Sequence, residues 1–181
     1  MSFNKLKDFL VGIQKTKSDA KSEISSSVLD DRKNVLDLNI MVVVDMSGSI
    51  GDAQFNQFMR QLNEIKGISR IKVAEYDDDV RALYDFSFLE QGRDIVRQNG
   101  TGGNYEPKVF QLIHKLKPDA VLFMTDGYVC SAKVTNNSIP IGYILTQNGV
   151  KPYDFGEVVI KLPPPSHTTS KGMRRFNSGK R

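Results

Sequence analysis

The chain of 181 residues is 39% apolar and 25% charged, the make-up of one ordinary globular domain with appendages, and this excludes a fibrous or wholly disordered protein. No apolar stretch is long enough to span a membrane; Ile40–Val44 is as long as any. The first residues mix Lys5, Lys7 and Asp8 around the apolar patch Phe9–Val11, so no secretory leader is expected, and the single cysteine, Cys130, has no internal partner. A reducing, cytoplasmic compartment is the expectation.

The net charge of +4 is unevenly spread. Residues 163–181 carry +5 with no acid (Lys171, Arg174, Arg175, Lys180, Arg181), residues 1–22 carry +3, and residues 23–162 are left with −4. An acidic body with basic ends does not read as a folded face that grips a phosphate backbone. Contact with nucleic acid or an acidic partner would fall to the tails.

In chain order, Phe3, Leu6, Phe9, Leu10 and Ile13 share one helix face, which predicts a short amphipathic helix that packs on its own domain or on a partner. Thr16–Asp37 is Ser-, Lys- and Asp-rich without periodicity and reads as a linker, so residues 1–35 form a helix-and-linker appendage. Leu38–Val44 is a continuous aliphatic run, as expected of a strand buried on both faces of a parallel sheet. It stops at Asp-Met-Ser-Gly-Ser-Ile-Gly-Asp, after which Phe55, Phe58, Met59, Leu62 and Ile65 mark a helix with Asp52 near its start and Gly67 past its end. Arg70–Tyr76 and Val80–Phe86 read as strands joined by the acidic turn Asp77–Asp79, an antiparallel hairpin.

Arg93–Gln98 reads as a short edge strand, and Asn99–Asn104 as a Gly-rich loop. A helix follows, opened by Pro107, carrying Phe110, Ile113 and Leu116 on one face and closed by Pro118. Ala120–Met124 is a second doubly buried strand that ends at Thr125-Asp126-Gly127; Pro140–Thr146 and Glu157–Leu162 supply two more. Residues 163–181, with three successive prolines and no apolar pattern, read as a tail disordered when alone. Alternating strands and helices with aliphatic strands predict an α/β fold: a mostly parallel central sheet with helices on both faces and one antiparallel edge strand. Ligands in such sheets bind beyond the carboxyl ends of the strands, where the strand order reverses.

The chemistry-bearing residues fall in those turns. Asp45, Ser47 and Ser49 follow one buried strand at alternate positions, and Asp126 follows another. Brought together they would offer two carboxylates and two hydroxyls, a hard oxygen set suited to Mg²⁺ (or Mn²⁺ or Ca²⁺) that keeps several waters. Asp45 alone could serve as a helix cap, but a cap does not account for the whole arrangement. His114 reads as a packed or exposed histidine, His167 lies in the tail, and Cys130 has no neighbouring base to activate it.

A buried strand ending in D-x-S-G-S, a Gly-rich loop before a Pro-opened helix and a second strand ending in T-D-G resemble the metal-ion-dependent adhesion site of von Willebrand factor A (VWA) domains, over about residues 36–162. The stretches IPIGYILTQNG and YDFGEVVIKL look like the intracellular VWA-like group found beside metallopeptidase modules. The resemblance implies a Rossmann-like sheet with Asp45, Ser47 and Ser49 as first-loop ligands and Asp126 acting through water. The family's middle ligand follows a Gly-Gly-Thr pattern; here Thr101 precedes the glycine pair, so Thr101, the carbonyl of Asn104 or a water would take that place. Asp77 would line the rim or simply be a solvated turn.

The function implied is a divalent-metal-dependent protein-binding adaptor, not an enzyme, that takes a partner's Asp or Glu at the ion, with MoxR-type AAA+ ATPases among the partners of such proteins. Two alternatives stand beside it: a nucleic-acid-associated protein using its basic tails, and an Mg²⁺-dependent hydrolase with Asp45 as nucleophile. A zinc peptidase is not expected, since no H-E-x-x-H occurs.

Overall fold

A computed structural model describes residues 2–22, 36–65, 69–86, 107–129 and 138–164. Its elements are α1 (Ser2–Ser22), β1 (Asn39–Asp45), α2 (Asp52–Ile65), β2 (Arg70–Tyr76), β3 (Val80–Asp85), α3 (Pro107–Leu116), β4 (Ala120–Thr125), β5 (Ile141–Leu145) and β6 (Val158–Lys161). They form one six-stranded sheet in the order β3-β2-β1-β4-β5-β6. Every neighbouring pair is parallel except β2–β3, so the antiparallel strand lies at an edge. The expected strand at Arg93–Gln98 and the helix end at Gly67 lie outside the described residues.

The two aliphatic strands are central because they can be buried on both sides. Six of seven β1 residues and all of β4 are buried. Alternate side chains divide them between two cores. Ile40, Val42 and Val44 join Leu122 and Met124 under α1 and α2, while Met41 and Val43 join Val121 and Phe123 under α3. On the first side, α2 buries Phe55, Phe58, Leu62 and Ile65, the stripe set by its three- and four-residue spacing. On the second, Phe110 of α3 stacks on Phe123, which stacks on Tyr143. The loop between β5 and β6 adds Tyr153 and Phe155, stacked on each other and each edge-on to Phe110, so aromatic rings cover part of this face without a helix. Gly156 makes that possible: its φ is +111°, and a Cβ there would stand 2.3 Å from the Tyr143 ring.

The first helix differs from its sequence-based extent. It continues through Thr16 to Ser22, where a linker was expected. The extra turns carry no apolar stripe, and they are held by tertiary contacts that no local pattern announces. Lys17 Nζ lies 2.8 Å from Asp119 Oδ2 and 2.9 Å from the carbonyl of Asp37, and the same Asp119 oxygen accepts the Asn39 amide at 2.8 Å. Upstream, Leu6 and Leu10 are fully buried in the shared core, and Phe9 approaches Gly142 of β5. The helix thus packs on its own domain, over the β5–β6 end of the sheet.

Candidate functional site

The strand order reverses between β1 and β4: the chain runs outward through β2 and β3, then returns to the other side of β1 to build β4, β5 and β6. The carboxyl ends of β1 and β4 are therefore adjacent at the position where α/β sheets bind ligands. Asp45 closes β1 and is fully buried. Both of its oxygens are engaged, Oδ1 accepting the Ser47 amide at 2.9 Å and Oδ2 the Thr125 hydroxyl at 2.6 Å. Ser47 Oγ lies 3.0 Å from Ser49 Oγ, and Ser49 opens to solvent. Asp126, also buried, has Oδ1 accepting the Tyr128 amide at 3.1 Å.

Burial pushes the Asp45 carboxyl above the usual carboxylate range. The hydrogen bonds from the Ser47 hydroxyl, the Thr125 hydroxyl and the Ser47 amide pull it back without cancelling that effect, and the charge of Asp126 adds to the rise. The two carboxylates are close enough to repel, and among the described residues no Lys, Arg or His forms an ion pair with Asp126. Among the described residues no group of three or more His, Cys, Asp or Glu could hold a metal. The donor set at this edge is instead two carboxylates with two hydroxyls, the chemistry of a hard, water-retaining ion.

Asp45 does not cap α2. The Gly51 amide donates to Gln54 Oε1 at 2.5 Å, so the helix start is closed from within by the residue three positions on. The loop from Asp45 to Gly51 is fixed at its near end by the Met46 amide, 2.7 Å from the Tyr76 carbonyl.

Asp77, at the carboxyl end of β2, is buried at the same edge but is used within its own turn: Oδ1 accepts Arg81 Nε at 2.7 Å and the Asp79 amide at 3.1 Å. Burial pushes its carboxyl up, but the Arg81 hydrogen bond and its companions outweigh that and leave it below the ordinary value. Arg81 also pairs with Asp78, and Lys108 of α3 lies 2.6 Å from Asp79. The structure thus brings Asp45, Ser47, Ser49 and Asp126 to one sheet edge, with Asp77 beside them but committed to Arg81. Thr101 and Asn104 lie outside the described residues, as do Lys171, Arg174, Arg175, Lys180, Arg181, His167 and Cys130. His114 sits half-buried on α3, away from this edge in the last turn of its helix.

Thr125 is the residue that sequence reading passed over. Fully buried at the end of β4, its hydroxyl donates to Asp45 and accepts the Gly127 amide at 2.9 Å, so one side chain joins both strand ends. Its signal was a hydroxyl closing an aliphatic strand directly before Asp-Gly. Gly127 then turns with φ +78°, and a Cβ there would stand 1.7 Å from the Val150 carbonyl oxygen.

A mostly parallel α/β sheet with its polar residues gathered at the switch point defines a Rossmann-like domain. The model of the family described as VWA-like domain (DUF2201) matches residues 40–162, and the chain belongs to that family. No curated protein matches the chain.

Proposed function

We propose that this VWA-like domain is a divalent-metal-dependent protein-binding module. Asp45, Ser47, Ser49 and Asp126 would hold a Mg²⁺-type ion, whose role is to attract an acidic side chain of a protein partner. The observation that carries the reading is the buried Asp45, tied to both strand ends and raised in pKa beside a second carboxylate, with the buried Ser47 hydroxyl 3.0 Å from that of Ser49, which opens to solvent. A group buried in that way costs stability on its own and is relieved by a cation. With neutral hydroxyls among its ligands the ion stays electrophilic toward an incoming anion. The resemblance adds MoxR-type AAA+ ATPases as a partner class and an intracellular setting.

A hydrolase using Asp45 as nucleophile is disfavoured, because the residue two places on is Ser47, where a phosphotransfer site of that style needs a second aspartate. The role of Asp45 in this reading is to position the loop and neutralise the ion.

The test uses the full chain in Mg²⁺ or chelator, with Mn²⁺ binding read by water-proton relaxation and retention on an immobilised Asp-containing peptide read in parallel. Wild type is expected to bind both, and Asp45→Ala and Ser47→Ala to lose both. Indifference of the wild type to metal overturns the proposal.

A further inference from the structure

The described surface exposes four large apolar side chains, and two of them stand together at the candidate site: Tyr128 at 60% and Val150 at 43%, against Leu83 on the edge strand β3 and Leu116 at the far end of α3. Neither of the pair is exposed by a loose loop. The Val150 amide donates to the Asp126 carbonyl at 2.8 Å, and the Tyr128 amide to the Asp126 carboxylate at 3.1 Å. Tyr128 Oη reaches the carbonyl of Asn148 at 3.4 Å, and the Gly149 amide closes the turn onto Thr146 at 3.0 Å. Gly127, which leaves no room for a Cβ, lets the two loops touch. One residue, Asp126, therefore supplies a carboxylate to the site and the anchor for both exposed side chains.

Apolar groups fixed in water beside a polar centre mark an interaction surface, and a rigid tyrosine offers contact area with little rotamer entropy to lose. The charge around them limits the partner. Among the described residues, the sheet edge carries the carboxylates of Asp45, Asp77, Asp78, Asp79 and Asp126 against the cations of Arg81 and Lys108, a net of −3 that Asp52 at the start of α2 and Lys151 beside Val150 leave unchanged. A divalent ion leaves the edge still negative, so it attracts one carboxylate at close range but repels a run of acids.

Resting on the metal-dependent reading above, we propose that Tyr128 and Val150 form an apolar collar that selects partners presenting a single acidic side chain flanked by large apolar residues. Acidic clusters are rejected. The apolar flank covers the tyrosine ring and the valine while the acid reaches the ion.

Three blocked peptides with the central sequences Phe-Asp-Leu, Ser-Asp-Ser and Glu-Asp-Glu test this by NMR titration of the full chain in Mg²⁺, with Mn²⁺ relaxation as the control for metal. The apolar-flanked peptide is expected to bind about tenfold or more tightly than the other two, the loss typical when an interface anchor is removed. The advantage should shrink to less than about threefold in a Tyr128→Ser/Val150→Ser variant whose melting temperature and Mn²⁺ binding are unchanged. Equal affinities for the three peptides in a metal-loaded protein, or no peptide binding there at all, overturn the collar and leave the metal site standing. Failure of Mn²⁺ to bind the wild type overturns the metal-dependent reading and the collar with it.

Discussion

Replacing Asp45 by Asn separates a carboxylate kept for a cation from one kept for its hydrogen bonds. The substitution preserves shape and removes charge. Asn can still accept the Ser47 amide, now 2.9 Å from Oδ1, and its amide can donate to Thr125 Oγ1 once that hydroxyl turns, since the oxygen already accepts only the Gly127 amide. The three charge-assisted hydrogen bonds, from the Ser47 amide, the Ser47 hydroxyl and the Thr125 hydroxyl, become neutral ones, a loss of about 1 kcal/mol each. Against that, the effective penalty of a buried ion, several kcal/mol, disappears together with the repulsion from Asp126. In chelator the variant should therefore be more stable by up to about 2 kcal/mol. For a chain of this size that is roughly 2–4 °C in Tm per kcal/mol.

With Mg²⁺ at about a hundred times its Kd, the wild type gains about 2.7 kcal/mol from ligation and the variant nothing, so the order is reversed. Paired thermal melts in chelator and in Mg²⁺ provide the assay. A variant less stable than wild type in chelator would show that Asp45 is chiefly a hydrogen-bond hub, and equal Mg²⁺ stabilisation of both proteins would refute its part in the ion's site.

The pH dependence carries a sign of its own. The folded Asp45 titrates above its unfolded value of 3.8, so its cost is fully present above the folded pKa and is relieved as pH falls through that pKa toward 3.8; the advantage of the Asp45→Asn variant in chelator should shrink on acidification from pH ~7, read by melts across that range. Asp119 runs the other way: burial raises it, but the Asn39 amide and Lys17 more than compensate, so its contribution is present above 3.8 and is lost as pH falls through its lowered folded pKa, and the stability gap between wild type and Asp119→Asn should close in that acid range. Gly127→Ala should destabilise by about 2–4 kcal/mol, because the left-handed φ costs about 1 kcal/mol and a Cβ 1.7 Å from the Val150 oxygen must break the Val150–Asp126 hydrogen bond; denaturant melts check it. Leu10→Ala should cost about 3 kcal/mol by the same measurement, since its side chain is fully buried in the core shared with the sheet.

Much of the architecture could be read from residue types alone. Ile40–Val44 and Ala120–Met124 are apolar at every position because both faces of a central strand are covered, and the three aspartates at 77–79 marked the hairpin because such residues tolerate tight turns. Pro107 and Pro118 bracketed α3, whose last helical residue is Leu116. The candidate ligands were visible because they end those two strands. What escaped notice depends on residues far apart in sequence. The second half of α1 is polar and is held by Lys17 across 102 positions to Asp119. Thr125 looked like a strand residue until its hydroxyl was found against Asp45, 80 positions away. Tyr128 and Val150 carry no pattern at all, since their exposure beside Asp126 exists only after two loops have met.

The family match begins at residue 40, yet Leu6 and Leu10 occupy the same interior as Leu122 and Ile144. The unit that must be cloned, crystallised or grafted intact is thus wider than the one recognised by similarity. A fragment trimmed to the matched region would uncover greasy sheet surface at the β5–β6 end and would report on aggregation before it could report on any ligand.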